Sequence, residues 1–504
     1  MMNTIQTEGL EILAAFFRQL NEAGIRYCFW KSTHGLRDAL KGESDLDLLV
    51  DRTEATRFRE LLLRFDFKPF VSAPQRQYPA VEDYLGFDRR TGAFVHLHIH
   101  YRVIIGGYFS KNYVLPLEQS YLNMTQMRSG VRVPAPELET IVLILRALLK
   151  YRDRDALRDL VNTARRGGLA PWILKEFDGL LAQTNADRIA TVLECHADFV
   201  PRGLVFDFLE TIRNSPRDVW TLLRLRRQTR RILAPYQRVS AWRAQIEYYR
   251  GILGHLRTSK RIRNLITPDP HKKPATGGLG IAFVGTDGAG KSTSVKEISK
   301  WLSRRLNVSK FYMGTTHPSR ATKVTRAMAT AGHAASAGCA RLLGKRNPLT
   351  RAASGLEELV SDLRYLSEAR DRYTRFVAGQ RKVAQGAVVI YDRYPLAAVN
   401  IDGRGMDGPR IAANGGMRPM SARLADREEN VYRLIRPPDH IVVLRVSPEV
   451  SLTRKPEHRR ERIDAKAHAL AEFARDGLNV TDIDAEQPLD QVLLQIKTAI
   501  WSWM

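Results

Sequence analysis

The sequence predicts an α/β protein. Its carboxyl-terminal part reads as a parallel sheet with flanking helices, preceded by a small α/β segment and a helix-rich segment. Three observations carry this reading. After residue 278, short β-branched runs alternate with long helical patterns (GIAFVG, SVKEISKWLSRRL, AVVIYD, HIVVLRV, LDQVLLQIKTAIWSW), the order expected of βαβ units. Between Thr267 and Gly278, three prolines and two glycines forbid a continuous helix and mark a linker. At 504 residues, with 44% hydrophobic and 26% charged residues, the chain has ordinary globular composition and length enough for several domains.

The elements divide accordingly. Residues 1–135 form an α/β segment and residues 136–266 a helical, basic segment in which Glu137 to Tyr151 and Leu204 to Ile212 show helical apolar spacing. Residues 267–278 are the linker and 279–504 the parallel-sheet domain. The stretch from Asn400 to Met420, glycine-containing and low in apolar residues, is expected to be a loop.

No apolar run reaches the roughly 18 residues of a membrane span, and Met1 to Gly24 reads as an amphipathic helix with acids rather than a signal peptide. A cytoplasmic location is expected. Cys28, Cys195 and Cys339 are far apart and lack metal-site spacing, so they read as buried small hydrophobes. The net charge of +25 points to a nucleic acid, an anionic membrane or phosphorylated ligands as partners. Arg224 to Arg263 concentrates the excess, with Glu247 its one acid and Trp242, Tyr248 and Tyr249 interleaved. Two readings stand for it: a helical connector with solvated basic faces, or a dock for an anionic membrane surface or polyanion. The oligomeric state is open, a homodimer among the arrangements expected.

The strongest motif is Gly285-Thr-Asp-Gly-Ala-Gly-Lys291-Ser292, which fits G-x-x-x-x-G-K-[ST] after a strand-like run and before a helix. Gly285, Gly288 and Gly290 let the backbone curl so that successive N–H groups meet phosphate oxygens, helped by the helix N-terminus. Lys291 supplies a charge to the β/γ-phosphates, and Ser292 a hydroxyl for Mg²⁺, with Thr293 next to it. The residues thus predict binding of ATP or GTP.

The run G-T-D-G-A-G-K-S-T, with Asp287 inside it, resembles the thymidylate kinase family of P-loop kinases. Ala369-Arg-Asp-Arg372 and Gly386-Ala-Val-Val-Ile-Tyr-Asp392-Arg393-Tyr394 resemble that family's later helix and Asp-Arg-Tyr strand. Arg436-Pro-Pro-Asp439 with HIVVLRVSPEVSLTRK resembles its Pro-Asp strand and the helix entering its lid, and Ile483-Asp484-Ala485 with Pro488 its last loop, near the adenine. The resemblance implies a catalytic set of Lys291, Asp392, Arg393 and Arg454, in which Asp392 holds Mg²⁺ with Ser292 and Arg393 neutralises the acceptor phosphate. It further implies that Arg372 and Asp287 face the acceptor, and that lid arginines Arg454, Arg459, Arg460 and Arg462 close over the nucleotide. Where the family carries Arg-Glu-Pro-Gly, this chain reads Phe311-Tyr-Met-Gly-Thr-Thr-His-Pro-Ser-Arg320, and residues 321–350 have no family counterpart. The expected activity is therefore ATP- and Mg²⁺-dependent phosphoryl transfer to a nucleoside monophosphate, thymidylate-like, or a related small acceptor.

Near the amino terminus, Ser44-Asp45-Leu-Asp47 places two carboxylates at i and i+2, on one face of a strand, as in metal sites of nucleotidyl transfer. With Phe94-Val-His96-Leu-His98-Ile-His100 it resembles the nucleotidyltransferase superfamily, which implies Asp45 and Asp47 as metal residues. His96 stands at the position of that superfamily's third carboxylate, and Lys31 where a glycine is usual. His96, His98 and His100 alternate on one strand face and can be read as a metal cluster. Three readings follow: a degenerate fold kept for binding or regulation, an active nucleotidyltransferase with His96 as a metal ligand that would make the chain bifunctional, or structural histidines. An ATP-binding regulator docking through its basic segment is a further alternative for the whole chain.

Overall fold

The structure is a computed structural model that describes residues 9–504, except 74–75, 108–110, 162–168, 215–217, 241, 247–248, 250–270, 345, 402–403, 412–418 and 458. The chain separates into two compact units, Met1–Pro270 and His271–Met504.

In the first unit, helix α1 (Glu11–Glu22) buries Leu13, Phe16, Phe17 and Leu20, the i, i+3, i+4, i+7 stripe that drives it onto a sheet. The strands are β1 (Tyr27–Phe29), β2 (Leu46–Val50), β3 (Lys68–Val71), β4 (Val81–Phe87) and β5 (Phe94–His100), in the order β1-β2-β5-β4-β3. Only β2 and β5 run parallel; the other pairs are antiparallel. Leu46, Leu48, Val95, Leu97 and Ile99 face the core shared with α1. Strand alternation therefore sends Asp47, His96, His98 and His100 to the opposite face.

A second core gathers around helix α2 (Pro136–Lys150), which is buried on almost every side because helices Pro171–Leu181, Ala186–His196 and Val219–Ile232 pack on it. Its near-continuous apolar run reflects that all-round burial.

The second unit is a parallel sheet with helices. Its strands are β6 (Leu279–Gly285), β7 (Val308–Tyr312), β8 (Val388–Asp392), β9 (His440–Arg445) and β10 (Val480–Asp484), in the order β7-β8-β6-β9-β10, all parallel. Chain order reverses at β6, so the carboxyl ends of β6, β8 and β9 border a crevice, the place where open α/β sheets bind ligands. Helices α3 (Lys291–Leu302), α4 (Arg320–Leu343), α5 (Pro348–Ala384), α6 (Pro448–Arg454), α7 (Arg460–Glu472) and α8 (Leu489–Trp503) complete it.

Residues 321–350 are mostly α4, which packs lengthwise on α5. Some expectations need correction. The Asn400–Met420 stretch is not simply a loop: Leu396–Ile401 and Arg404–Met406 pair as an antiparallel hairpin, and Pro419 opens a helix, while 412–418 lie outside the described residues. Only Cys28 is buried; Cys195 is exposed, off the Ile189, Val192 and Leu193 stripe of its helix, and Cys339 on α4 is intermediate. Of the basic segment, Val219–Ile232 is helical with Arg226 buried, its guanidinium donating to the Tyr151 carbonyl at 2.9 Å, and Trp242 and Tyr249 are exposed. Glu247, Tyr248 and residues 250–263 lie outside the described residues. Among the described residues, no helix is long and apolar enough to cross a membrane.

Candidate functional site

Where β6 ends, the glycine-rich turn from Gly285 to Gly290 leads directly into α3. Gly290, at φ +81°, is the left-handed N-cap of that helix, a conformation costly for a residue with a Cβ. Gly288 is left-handed too, and a Cβ there would lie 2.9 Å from the Ser451 carbonyl. The Ser451 hydroxyl donates to the Asp287 carbonyl, which ties α6 to the turn.

Lys291 curls back over the turn. Its Nζ donates to the carbonyls of Gly285 at 3.0 Å and Thr286 at 2.6 Å. Burial lowers its pKa to about 8, with the Asp287 carboxylate pulling the other way. Ser292 and Thr293 are exposed at the head of α3. Gly288, Gly290, Lys291, Ser292 and Thr293, together with Arg393 and Arg454, line a cleft of about 460 Å³ that extends to Ala485, Gln487 and Leu489. Small-molecule sites fall at roughly 300–1,000 Å³.

Asp392 ends β8 and pairs in register with Phe283, one strand from the turn. Burial raises its pKa, against the pull of Arg393 and Lys291, and its Oδ1 is buried without a hydrogen bond among the described residues. Arg393 takes φ +58°, a strained conformation that directs the chain out of the sheet beside the turn.

A second cavity, of about 150 Å³, adjoins the first through shared walls: Asp287 and Arg393 line both. Its other walls are Tyr312, Gly314, Thr315, Arg372, Asp407, Arg410, Arg462 and Lys466. Arg372 is 1% exposed; its Nε donates to the Met313 carbonyl at 2.8 Å, and its Nη1 bonds the Tyr432 hydroxyl while the guanidinium lies over that ring. Its buried Nη2 makes no hydrogen bond among the described residues. Lys466 Nζ pairs with Asp287 at 2.6 Å. Five cationic groups against two carboxylates give this small cavity a positive balance suited to an anion.

The structure thus brings together the predicted Gly285, Asp287, Gly288, Gly290, Lys291, Ser292, Thr293, Arg372, Asp392, Arg393 and Arg454. Arg454 Nη1 donates to the Ala485 carbonyl at 3.1 Å. Arg459 and Arg460 do not line either cavity; Arg460 pairs with Glu449 at 3.1 Å and with Asp464 at 3.7 Å, and of the arginines expected in a lid, Arg462 lines the second cavity. Sequence reasoning missed Lys466, Asp407 and Arg410. The signal for Lys466 was its i+4 spacing from Arg462 on one helix.

No protein-family model matches the chain. Over 244 residues it is 27% identical to the "Uncharacterized ATP-binding protein YghR" of Escherichia coli strain K12, covering 48% of this chain and 93% of that protein. It is also 25% identical over 218 residues to the "Uncharacterized ATP-binding protein YghS" of the same strain, covering 42% of this chain and 88% of that protein.

In the first unit, Asp47 on β2, His98 on β5 and Asp83 on β4 form one cross-strand row. Asp47 is engaged by the Lys31 ammonium, and its Oδ1 lies 3.0 Å from His100 Nε2 and 3.4 Å from His98 Nδ1. These partners hold its carboxyl well below the usual range despite burial, which acts in the opposite direction. Burial brings Lys31 down to about 7. Asp45 Oδ1 lies 2.9 Å from His96 Nδ1. Asp83, which sequence reasoning missed, sits 3.2 Å from His96 Nε2 and 2.9 Å from His98 Nε2. A third carboxylate is thus present, but on the antiparallel neighbour β4 rather than at position 96.

Proposed function

We propose that residues 271–504 bind ATP with Mg²⁺ and transfer its terminal phosphoryl group to a small phosphorylated acceptor of the nucleoside monophosphate type, thymidylate-like or related. The observation that carries this is the pair of adjoining cavities with Asp287 and Arg393 in their common wall. The larger has a glycine-rich turn, a lysine and a helix N-terminus for polyphosphate; the smaller is a cationic pocket for a second phosphate. In-line transfer needs donor and acceptor phosphates to meet, and phosphoryl transfer is mostly positioning and charge stabilisation. The names of the YghR and YghS relatives support ATP as the donor.

In this reading the turn amides and Lys291 hold the β- and γ-phosphates. Arg393 and Arg372 hold the acceptor phosphate, and Arg454 and Arg462 balance charge on the transferring group. The residues fit a Mg²⁺ ion: the Ser292 hydroxyl and the buried, unbonded Oδ1 of Asp392 would hold it. When bound, that ion neutralises phosphate charge. Asp287, paired with Lys466, faces the acceptor side. Ala485, Gln487 and Leu489 continue the larger cleft away from the turn and would receive the adenine.

The test is to incubate the full-length protein with ATP, Mg²⁺ and a panel of nucleoside monophosphates, nucleosides and sugars, resolving the products by mass. The reading expects ADP to appear only with an acceptor, and an acceptor product heavier by one phosphoryl group. ATP binding without transfer to any acceptor would favour the regulatory alternative.

A further inference from the structure

The β2–β5–β4 face of the first unit carries imidazoles and carboxylates whose arrangement is unexplained by phosphoryl transfer. The Asp83 carboxylate faces two rings at once, His96 Nε2 at 3.2 Å and His98 Nε2 at 2.9 Å. A carboxylate only accepts, so both rings present Nε2–H to it, and each Nδ1 is left facing another way. His96 Nδ1 faces Asp45 Oδ1 at 2.9 Å, yet this buried nitrogen makes no aligned hydrogen bond. In a neutral His96 ring with its proton on Nε2, Nδ1 is an acceptor, and two acceptor atoms at that distance repel unless a cation lies between or beside them. One oxygen of Asp45 and one ring nitrogen each of His96 and His98 lie within 4.8 Å of one another, the spacing of ligands on one ion.

The residues do not fit the pair of Mg²⁺ ions that a nucleotidyltransferase likeness implies. Mg²⁺ demands oxygen ligands in octahedral array, whereas here imidazoles hold the positions, and the Lys31 ammonium already engages Asp47. Imidazole with carboxylate suits zinc-type transition metals, and a carboxylate behind a ligating ring is the usual way such rings are oriented. Asp45, with its side chain 37% exposed, gives an ion a route from solvent to His96, whose side chain is 2% exposed.

We propose that Asp45, His96 and His98 bind one transition-metal dication, with Asp83 as a positioning residue for both rings and Lys31 as the partner that engages Asp47. The ligand set leaves coordination positions open to water or a small anionic ligand. The proposal does not depend on the kinase reading, since it concerns other residues.

The test uses metal-freed full-length protein, without nucleotide, titrated with Co²⁺ and followed by its visible absorption and by bound-metal analysis. One Co²⁺ per chain is expected, displaced by Zn²⁺, which binds such donors more tightly, and retained in a large excess of Mg²⁺. Asp45→Asn, at a partly exposed position that keeps the fold, should weaken Co²⁺ binding at least about 10-fold, and His96→Gln should abolish the spectrum. Asp83→Asn should cost roughly 10–100-fold through ring orientation. Circular dichroism checks folding of each variant. Absence of saturable binding, displacement by equimolar Mg²⁺, or Co²⁺ affinity unchanged in folded Asp45→Asn overturns the proposal.

Discussion

Asp287 and Lys466 form a 2.6 Å ion pair between the glycine-rich turn and helix α7, both side chains largely buried. The pair fixes α7 against the turn and places one cation and one anion on the wall of the smaller cavity. Lys466→Met is expected to lower phosphoryl transfer about 10–100-fold, because it leaves the Asp287 carboxylate uncompensated next to incoming phosphate. Adding Asp287→Asn should recover part of that loss. A double-mutant cycle on kcat/KM checks this; strictly additive losses would mean the pair does not act as a unit.

Lys291→Ala should reduce turnover by about 10²-fold or more, since a cation on the transferring phosphates is removed. The wild-type lysine carries a pKa of about 8 before nucleotide binds. Its ammonium is therefore lost as pH rises through that value, so ATP affinity should decline above about pH 8 and be steady below it. Calorimetric titration at several pH values reads this directly, and the decline should vanish in Lys291→Met.

Asp392→Asn should raise the Mg²⁺ concentration needed for half-maximal rate while leaving thermal stability nearly unchanged, the replacement being isosteric. Activity measured across a Mg²⁺ series separates this from a fall in kcat at saturation.

Arg372→Lys should raise the KM for the acceptor by about 10-fold or more with little change in the KM for ATP, because the planar fork that bonds Met313, Tyr432 and the cavity is replaced by a point charge. Equal effects on both substrates would argue for a structural role.

Glu139 on α2 accepts hydrogen bonds from the Thr33 amide at 2.7 Å and from its hydroxyl, yet burial pushes its carboxyl up to about 7. Ionising it in the folded state is costly, so its contribution favours folding below about pH 4.5 and is lost as pH rises to about 7. Glu139→Gln should flatten that decline, so that the wild type's loss between pH 5 and pH 8, on the order of 2–3 kcal/mol, is absent from the variant. Urea unfolding at pH 5 and pH 8 provides the comparison.

What could be read in advance was what lies close together in sequence. Gly285 to Thr293 is contiguous, so its spacing alone indicates a turn that cradles phosphate, and Asp392 follows the strand-forming run Val388–Tyr391 that places it at a strand's end. Arg410 and Asp83 were not legible, and Lys466 only through its spacing from Arg462, because each reaches its site through a non-local contact: helix α7 packing back on the turn, the chain leaving the Leu396–Met406 hairpin, and an antiparallel register on β4. Arg460 illustrates the reverse error: lid arginines look alike in sequence, but Glu449 and Asp464 hold this one while Arg462 turns to the cavity. The His96-Leu-His98-Ile-His100 alternation was readable as a face, but the partners of that face were not.

Helix α5 has a mechanical consequence. At about 1.5 Å per residue, its 37 residues make a rod some 55 Å long, and Arg372 is mounted on it with Arg375, which grips the Tyr312 and Gly314 carbonyls. Some 20 residues away along the same rod, Leu349 and Leu356 are exposed. Were the rod to pivot at Arg375, a tilt of about 4° would carry that far end through about 2 Å while turning Arg372 by the same few degrees.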